Sequence, residues 1–424
     1  MTSAKTPAPI RPTAYVLLLA GAVCAGMGQT IVFSVLPPLA REIGLTDRQV
    51  VTIFMTSAIF WVLTGPQWGR RSDISGRKIF IFIGLFGFGV SMLSFGAMIK
   101  IGLLGGIAGM PLFLLLITTR SLYGIVGSAG PPAAQAYIAD RTSLEKRTAG
   151  IANFSAAFGL GAMIGPGFGA VFSVIEKTAP FFAIGVVALV MSVVVVQFLP
   201  EKSSPLEREQ KVKVKLSDKR IRPFIIYGVG FGFTNAILIQ TITFYFIDVL
   251  EVSTEAASQI AGIGLMTGAM AALFSQLVIV QRFNVEPRIL LRVAPVLLVL
   301  GHTLIWALPE LGPVIFGMTL AGFGAGLAVP GFNAAASIAV TKEEQGSAIG
   351  LASAAGASGF IIAPLIGIQL YIMGPQIAYM FTSGLGVALL VFAMFSAAVG
   401  EASPKRIAAA IASSERDPAT APYQ

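Results

Sequence analysis

The chain has 424 residues, 55% of them hydrophobic and 12% charged, with a formal net charge of +9 and a mean hydropathy of +0.82. A soluble domain carries about 25% charged residues and must turn much of its surface to water, so a soluble globular fold is excluded. The Lys and Arg residues lie mostly between the apolar stretches, so a membrane explains the positive charge and no nucleic-acid partner is expected.

Twelve apolar spans follow one another, over 14–37, 50–69, 79–99, 111–137, 148–173, 179–199, 223–248, 257–280, 288–308, 311–337, 345–372 and 377–399. Each is about 20 residues or longer, enough to cross a hydrocarbon core of roughly 30 Å as a helix, and helix is required because lipid offers the backbone no hydrogen bonds. The first span ends without an Ala-x-Ala cleavage pattern and reads as a retained helix. The predicted fold class is an all-α polytopic membrane protein of twelve transmembrane helices in two six-helix bundles with a pseudo-twofold repeat. The expected organisation is an N-terminal bundle over 1–199, a cytoplasmic linker over 200–222, a C-terminal bundle over 223–400 and a cytoplasmic tail over 401–424.

In chain order, span one carries the single cysteine, Cys24, read as a packing residue, and the uncharged polar pair Gln29 and Thr30. One cysteine excludes a disulfide framework, and no set of Cys, His and acids suggests a metal site. Between spans two and three lies a turn with Gly69, Asp73, Gly76, Arg77 and Lys78. Its aspartate can accept from a helix N-terminus or pair with a base. Span four carries Arg120 well inside its apolar stretch, where a charge is costly and must face a cavity, the bundle interior or a partner. It is the sharpest candidate for substrate contact or coupling. Asp140 ends that span. Span five carries Asn153 and then Gly161, Gly165, Pro166 and Gly169, glycines on one helix face that admit a close neighbour, with a proline expected to kink the helix. Past the linker, span seven carries Asn235, Gln240, Tyr245 and, near its end, Asp248; span nine carries His302, span ten Asn333, and span eleven Gly359, Pro364, Gly367 and Gln369. Gln29, Thr30, Asn153, Asn235, Gln240, Asn333 and Gln369, among aromatics such as Tyr245, are candidates for a cavity lining that suits a small, moderately hydrophobic organic molecule. Asp140, Asp248 and His302 are the candidate protonation sites, since few acids lie in the spans.

An internal repeat appears when the chain is shifted by 198 residues: Gly124 falls on Gly322, Pro132 on Pro330, Gln135 on Asn333, Gly161 on Gly359, Pro166 on Pro364 and Gly169 on Gly367. Spans four and five thus map onto ten and eleven, and repeated halves around a central site are the usual plan of secondary transporters. With both termini inside, 24 of the 29 Lys and Arg residues fall on the inner side and only Arg41, Arg48, Lys100 and Lys177 on the outer, which orients the chain.

These motifs resemble the major facilitator superfamily. The turn from Gly69 through Asp73 to Gly76-Arg77-Lys78 resembles its cytoplasmic signature, with Ile74 where a basic residue is usual. Arg120, Gly124 and Gly127 resemble the signature of its proton-driven members. Gly161-x-x-x-Gly165-Pro166-x-x-Gly169 resembles that of its exporters. Leu36-Pro37-Pro38-Leu39 is similar to the end of span one in bacterial drug and tetracycline proton antiporters, although span one here has no acidic residue. The resemblance implies a multi-pass protein of the bacterial inner membrane that acts as a monomer in lipid and exports small organic substrates by alternating access, coupled to protons and without a cofactor. It also implies an interbundle latch at the 69–78 turn. The alternative is an importer or facilitator of an organic anion that uses Arg120. A non-transporting receptor or scaffold would show no substrate-dependent change, and no nucleophile, acid pair or metal set suggests an enzyme. No Gly-x-x-x-x-Gly-Lys-Ser/Thr loop suggests ATP coupling.

Overall fold

The computed structural model describes residues 10–142, 144–200, 214–283, 285–341 and 344–402, with the side chains at 73, 144–149, 151–152, 255, 281 and 346 outside the description. Most of the 200–222 linker and nearly all of the 401–424 tail therefore lie outside the described residues.

Twelve helices long and apolar enough to cross a membrane are present among the described residues. They are Pro12–Glu42, Asp47–Ser72, Arg77–Leu103, Gly109–Asp140, Asn153–Ile175, Ala179–Phe198, Arg222–Asp248, Ala256–Val280, Pro287–Ala307, Leu311–Ile338, Ser347–Met373 and Pro375–Phe395. We call them spans one to twelve. They match the twelve apolar stretches of the sequence, and the described residues contain no strand.

The helix ends follow local chemistry. Pro12, Pro180, Pro287 and Pro375 stand in the first turn of spans one, six, nine and twelve, where a missing N–H is harmless. Thr46 and Gln49 form a capping box at the start of span two. Gly76, at φ 94, turns the chain from span two into span three in a conformation that a side chain would strain. Pro166 does not interrupt its helix, which runs from Leu144 to Ile175.

By packing, the chain falls into two compact units. The first comprises 1–208 with 243–266, and the second 209–242 with 267–424. The end of span seven and the first half of span eight thus pack with the first six spans, a grouping that chain order does not reveal. In lipid there is no hydrophobic drive between helices, so close van der Waals fit must hold them together. In the first unit, a Cβ on Gly161 would collide with the Val23 carbonyl and one on Gly26 with the Phe158 carbonyl, so spans one and five meet backbone to backbone. Thr30 sits against Gly165 and Val35 against Gly169 on the same seam. In the second unit a Cβ on Gly359 would strike Gly232, and Gly367 lies against Ile237, so span eleven meets span seven in the same manner. Pro364 is buried inside span eleven. Large apolar side chains such as Val187, Val190, Val193 and Phe395 are exposed, as surfaces facing lipid tails would be.

Candidate functional site at the break in span four

Span four is not one helix. It runs from Gly109 to Ile125, tightens into a 3-10 turn over Gly127–Ala129, and resumes as a helix over Gly130–Asp140. Pro131 and Pro132 fill the first turn of the second segment, where their missing N–H groups cost nothing. The Ala129 N–H turns to the Val126 carbonyl at 3.1 Å, which leaves the Ile125 carbonyl without its helical donor. Span two and the turn itself supply replacements. The Trp68 indole N–H donates to the Ile125 carbonyl at 2.6 Å, and Ser128 Oγ lies 3.0 Å from that carbonyl. Thr64 Oγ1 lies 2.8 Å from the Phe60 carbonyl of its own helix, 2.8 Å from Ser128 Oγ, and 3.2 and 3.3 Å from the Gly124 and Ile125 carbonyls, able to donate to only one of them at a time.

Arg120 stands one turn before the break and is 3% exposed. Its Nε and Nη1 have no hydrogen-bond acceptor among the described residues. Its guanidinium lies 4.5 Å over the ring of Tyr123, whose negative face partly offsets the charge. The Tyr123 hydroxyl donates to Gln29 Oε1 at 2.6 Å, tying span four to span one. Trp61 and Phe88 flank Tyr123 at 5.0 and 5.3 Å between ring centroids. Beside them lies a narrow, mostly apolar cavity lined by Trp61, Phe88, Tyr123, Gly127, Pro131 and Phe158 among others, with about 30 Å³ for the centres of water-sized molecules. The constellation offers a buried cation with free donors and an aromatic shell just before a helix break; the small space beside it is lined by those aromatics and not by Arg120 itself.

Of the expected cavity residues in the first unit, Gln29 joins Arg120 through Tyr123. Thr30 instead bonds to its own helix, at the Gly26 and Met27 carbonyls. Asn153 donates to the Tyr15 hydroxyl at 3.0 Å. Tyr245 is fully buried. In the second unit Gln240 reaches the Phe360 carbonyl at 3.5 Å and Asn333 accepts from Ser353 at 3.1 Å, while Asn235 is half-buried and Gln369 exposed. These amides do not form one hydrogen-bonded cluster within their unit.

The titratable candidates are all engaged. Asp140 accepts from Arg77 Nε at 3.0 Å, and Arg77 also donates to Ser72 at 2.8 Å, which fixes the end of span four to the 69–78 turn. The side chain of Asp73 lies outside the described residues; Lys78 is half-buried. Asp248 and Asp47 share Arg41. One Arg41–Asp248 bond is 2.8 Å, and Arg41 Nε lies 2.8 Å from Asp47. The same guanidinium sits 4.8 Å over the Phe244 ring. His302 is fully buried, its Nδ1 2.6 Å from Thr382 Oγ1. That hydroxyl also lies 3.0 Å from the Tyr379 carbonyl, and His302 Nε2 has no hydrogen-bond partner among the described residues. Outside the spans, Lys100 holds the Glu176 carboxyl below its usual range, and Arg220 does the same to Glu344 and Asp218.

Sequence reasoning missed Tyr123, Trp61, Thr64 and Trp68. Tyr123 carried a usable signal, since it follows Arg120 by three residues and so shares its helix face.

A family profile described as Major Facilitator Superfamily matches residues 18–364 and again 278–420. "Multidrug resistance protein 2" of Bacillus subtilis is 30% identical over 198 residues, 47% of this chain and 46% of that protein. "Quinolone resistance protein NorA" of Staphylococcus aureus is 26% identical over 196 residues, 46% of this chain and 47% of that protein. The matches thus span about half the length of these relatives. The crystal structure of a bacterial homolog to the human lysosomal transporter Spinster, in an inward-facing and occupied conformation, aligns with a TM-score of 0.68 at 14% identity, covering 94% of this chain and 98% of that one.

Proposed function

The chain belongs to the Major Facilitator Superfamily, and on that premise we propose that it is a secondary transporter, exporting small, moderately hydrophobic organic compounds by alternating access and driven by protons. The observation that carries this reading is Arg120, buried at a helix break with two nitrogens unserved by protein acceptors. A bundle that only had to hold together would be as stable or more so with an apolar residue there, because an unpaired charge in low dielectric is costly. Free donors suit a ligand that arrives and leaves. The guanidinium fork accepts a carboxylate or carbonyl, while Tyr123, Trp61 and Phe88 accept an apolar or aromatic body. The multidrug and quinolone resistance relatives support a drug-like substrate.

Repeated halves support two bundles, over 1–199 and 223–400, joined by the 200–222 linker, with the linker, the 401–424 tail and both termini on the cytoplasmic side of a bacterial inner membrane. On that orientation the 69–78 turn is the inner latch, and Asp140 and Asp248 stand at the inner and outer ends, each held by an arginine. A proton on either carboxylate weakens its ion pair, which is how proton movement would shift the balance between states. The protein acts as a monomer in lipid.

A second reading, import or facilitated passage of an organic anion, is favoured by the absence of a carboxylate beside Arg120 among its described contacts. Both readings are tested by reconstituting the protein in vesicles, imposing inward or outward proton gradients, and following hydrophobic cations and organic anions. Gradient-dependent movement lost in Arg120→Ala supports the antiporter. Anion uptake indifferent to the gradient supports the second reading and overturns the first. External labelling of a cysteine placed in 200–222 in intact cells would overturn the orientation.

A further inference from the structure

We infer that Trp68 is a positioning residue that keeps span four broken and so presents Arg120 and Tyr123; its role in transport rests on the reading above. A pair of prolines does not by itself break a helix in this chain. Pro37 and Pro38 lie inside the unbroken helix Pro12–Glu42. The carbonyls that those prolines deprive of a helical N–H, at Phe33 and Ser34, have more distant outside donors, Thr243 Oγ1 at 3.4 Å and Ser258 Oγ at 3.2 Å, whereas span four has a close one for the carbonyl that its break strands. The Trp68 indole has one N–H, and at 2.6 Å it is committed to the Ile125 carbonyl. If that donor is lost, the carbonyl can turn to a nearby hydroxyl, Ser128 at 3.0 Å or Thr64 at 3.3 Å, or the Ala129 N–H can return to its helical place. That return closes the break.

The repeat offers a comparison in which both the second proline and the close donor are missing, with Val329 in the place of Pro131. Under the 198-residue shift Ile125 falls on Phe323. Its carbonyl is approached by Ser275 Oγ at 3.3 Å, but that hydroxyl already donates to the Ala272 carbonyl at 2.8 Å. Span ten, with this weak donor, is continuous.

Trp68 also touches the neighbouring turn. Arg71 lies 5.3 Å over its ring and Phe80 is 5.8 Å away between centroids. The next residue, Gly69, lies against Pro132 on the far side of the break. Span two therefore contacts span four both before and after the interruption, and Trp68 is one route, beside Gly69–Pro132 and Arg77–Asp140, by which a shift of the 69–78 turn reaches span four.

The test uses the full chain in lipid with spin labels at positions 114 and 139, which read the length across the break whether or not anything is transported. Trp68→Phe is expected to shift that distance distribution toward the one given by Pro131→Val, which restores an N–H to the second segment. It is also expected to slow transport about tenfold. In a Pro131→Val background, where the helix closes anyway, Trp68→Phe is expected to change neither quantity further. An unchanged distance in Trp68→Phe, or losses of transport that multiply in the double variant, overturns the inference. If the distance shifts while the unsubstituted protein moves no tested compound, the transport reading fails and the positioning of the break stands.

Discussion

Spans four and ten are two versions of one pattern, and they fold differently. Gly124, Pro132 and Gln135 answer to Gly322, Pro330 and Asn333, yet span ten is one helix from Leu311 to Ile338 while span four stops at Ile125 and resumes at Gly130. The local difference is a second proline, Pro131 against Val329. The chemical difference lies one turn earlier, where Arg120 and Tyr123 face Met318 and Ala321 in the repeat. Span ten keeps the scaffold, with Met318 2% exposed and at home in an apolar core. Span four adds a cation, a phenol and an interruption together. A glycine and one proline are shared, and the residues that differ include those around the break.

The comparison can be broken by making span four resemble span ten. Arg120→Met, the residue of the repeat, should lower transport about a hundredfold or more while thermal stability holds or rises, because an unpaired buried charge is exchanged for an apolar side chain. Vesicle transport and a melting curve read the two effects, and a folded variant with full transport would show that Arg120 is only structural. Pro131→Val should slow transport about tenfold and raise the melting temperature by a few degrees as the helix regains a hydrogen bond. Tyr123→Phe keeps the ring under Arg120 and removes only the bond to Gln29, so a loss of about three- to tenfold is expected, with no further loss in Tyr123→Phe combined with Gln29→Leu.

The smallest effect concerns the residues just past these spans. Asp140 at the end of span four is held by Arg77, whereas Glu344, beyond span ten, is held by Arg220 through two bonds of 2.9 Å. Arg220 lowers the Glu344 carboxyl below its usual range, so this link contributes above the unfolded-state value of about 4.3 and is lost as pH falls through the lower folded-state value. Melting curves of the protein and Glu344→Gln should therefore differ by a small, constant amount from pH 7 to about pH 5 and converge only in stronger acid.

The spans were legible because an apolar run of sufficient length admits few other structures, and Arg120 was legible because it is a charge within such a run. The break was not. Pro131-Pro132 reads no differently from Pro37-Pro38, yet the helix continues through one pair and is interrupted before the other, where Trp68, some sixty residues upstream, donates to the Ile125 carbonyl. Tyr123 was one aromatic among many until its bond to Gln29 placed it. The Arg41–Asp248 pair joins residues 207 apart and leaves no local trace. The glycines 161 and 359 could be read as close-packing positions, but their partners, Val23 and Gly232, come from the fold.

The central claim is that recognition of substrate resides in the copy of the repeat that carries the cation. Substrate counterflow into vesicles, with Arg120→Met measured beside Met318→Leu, tests it most directly. Exchange is expected to be abolished by the first substitution and retained in the second. Undiminished exchange in Arg120→Met, with the protein folded and inserted, would contradict it.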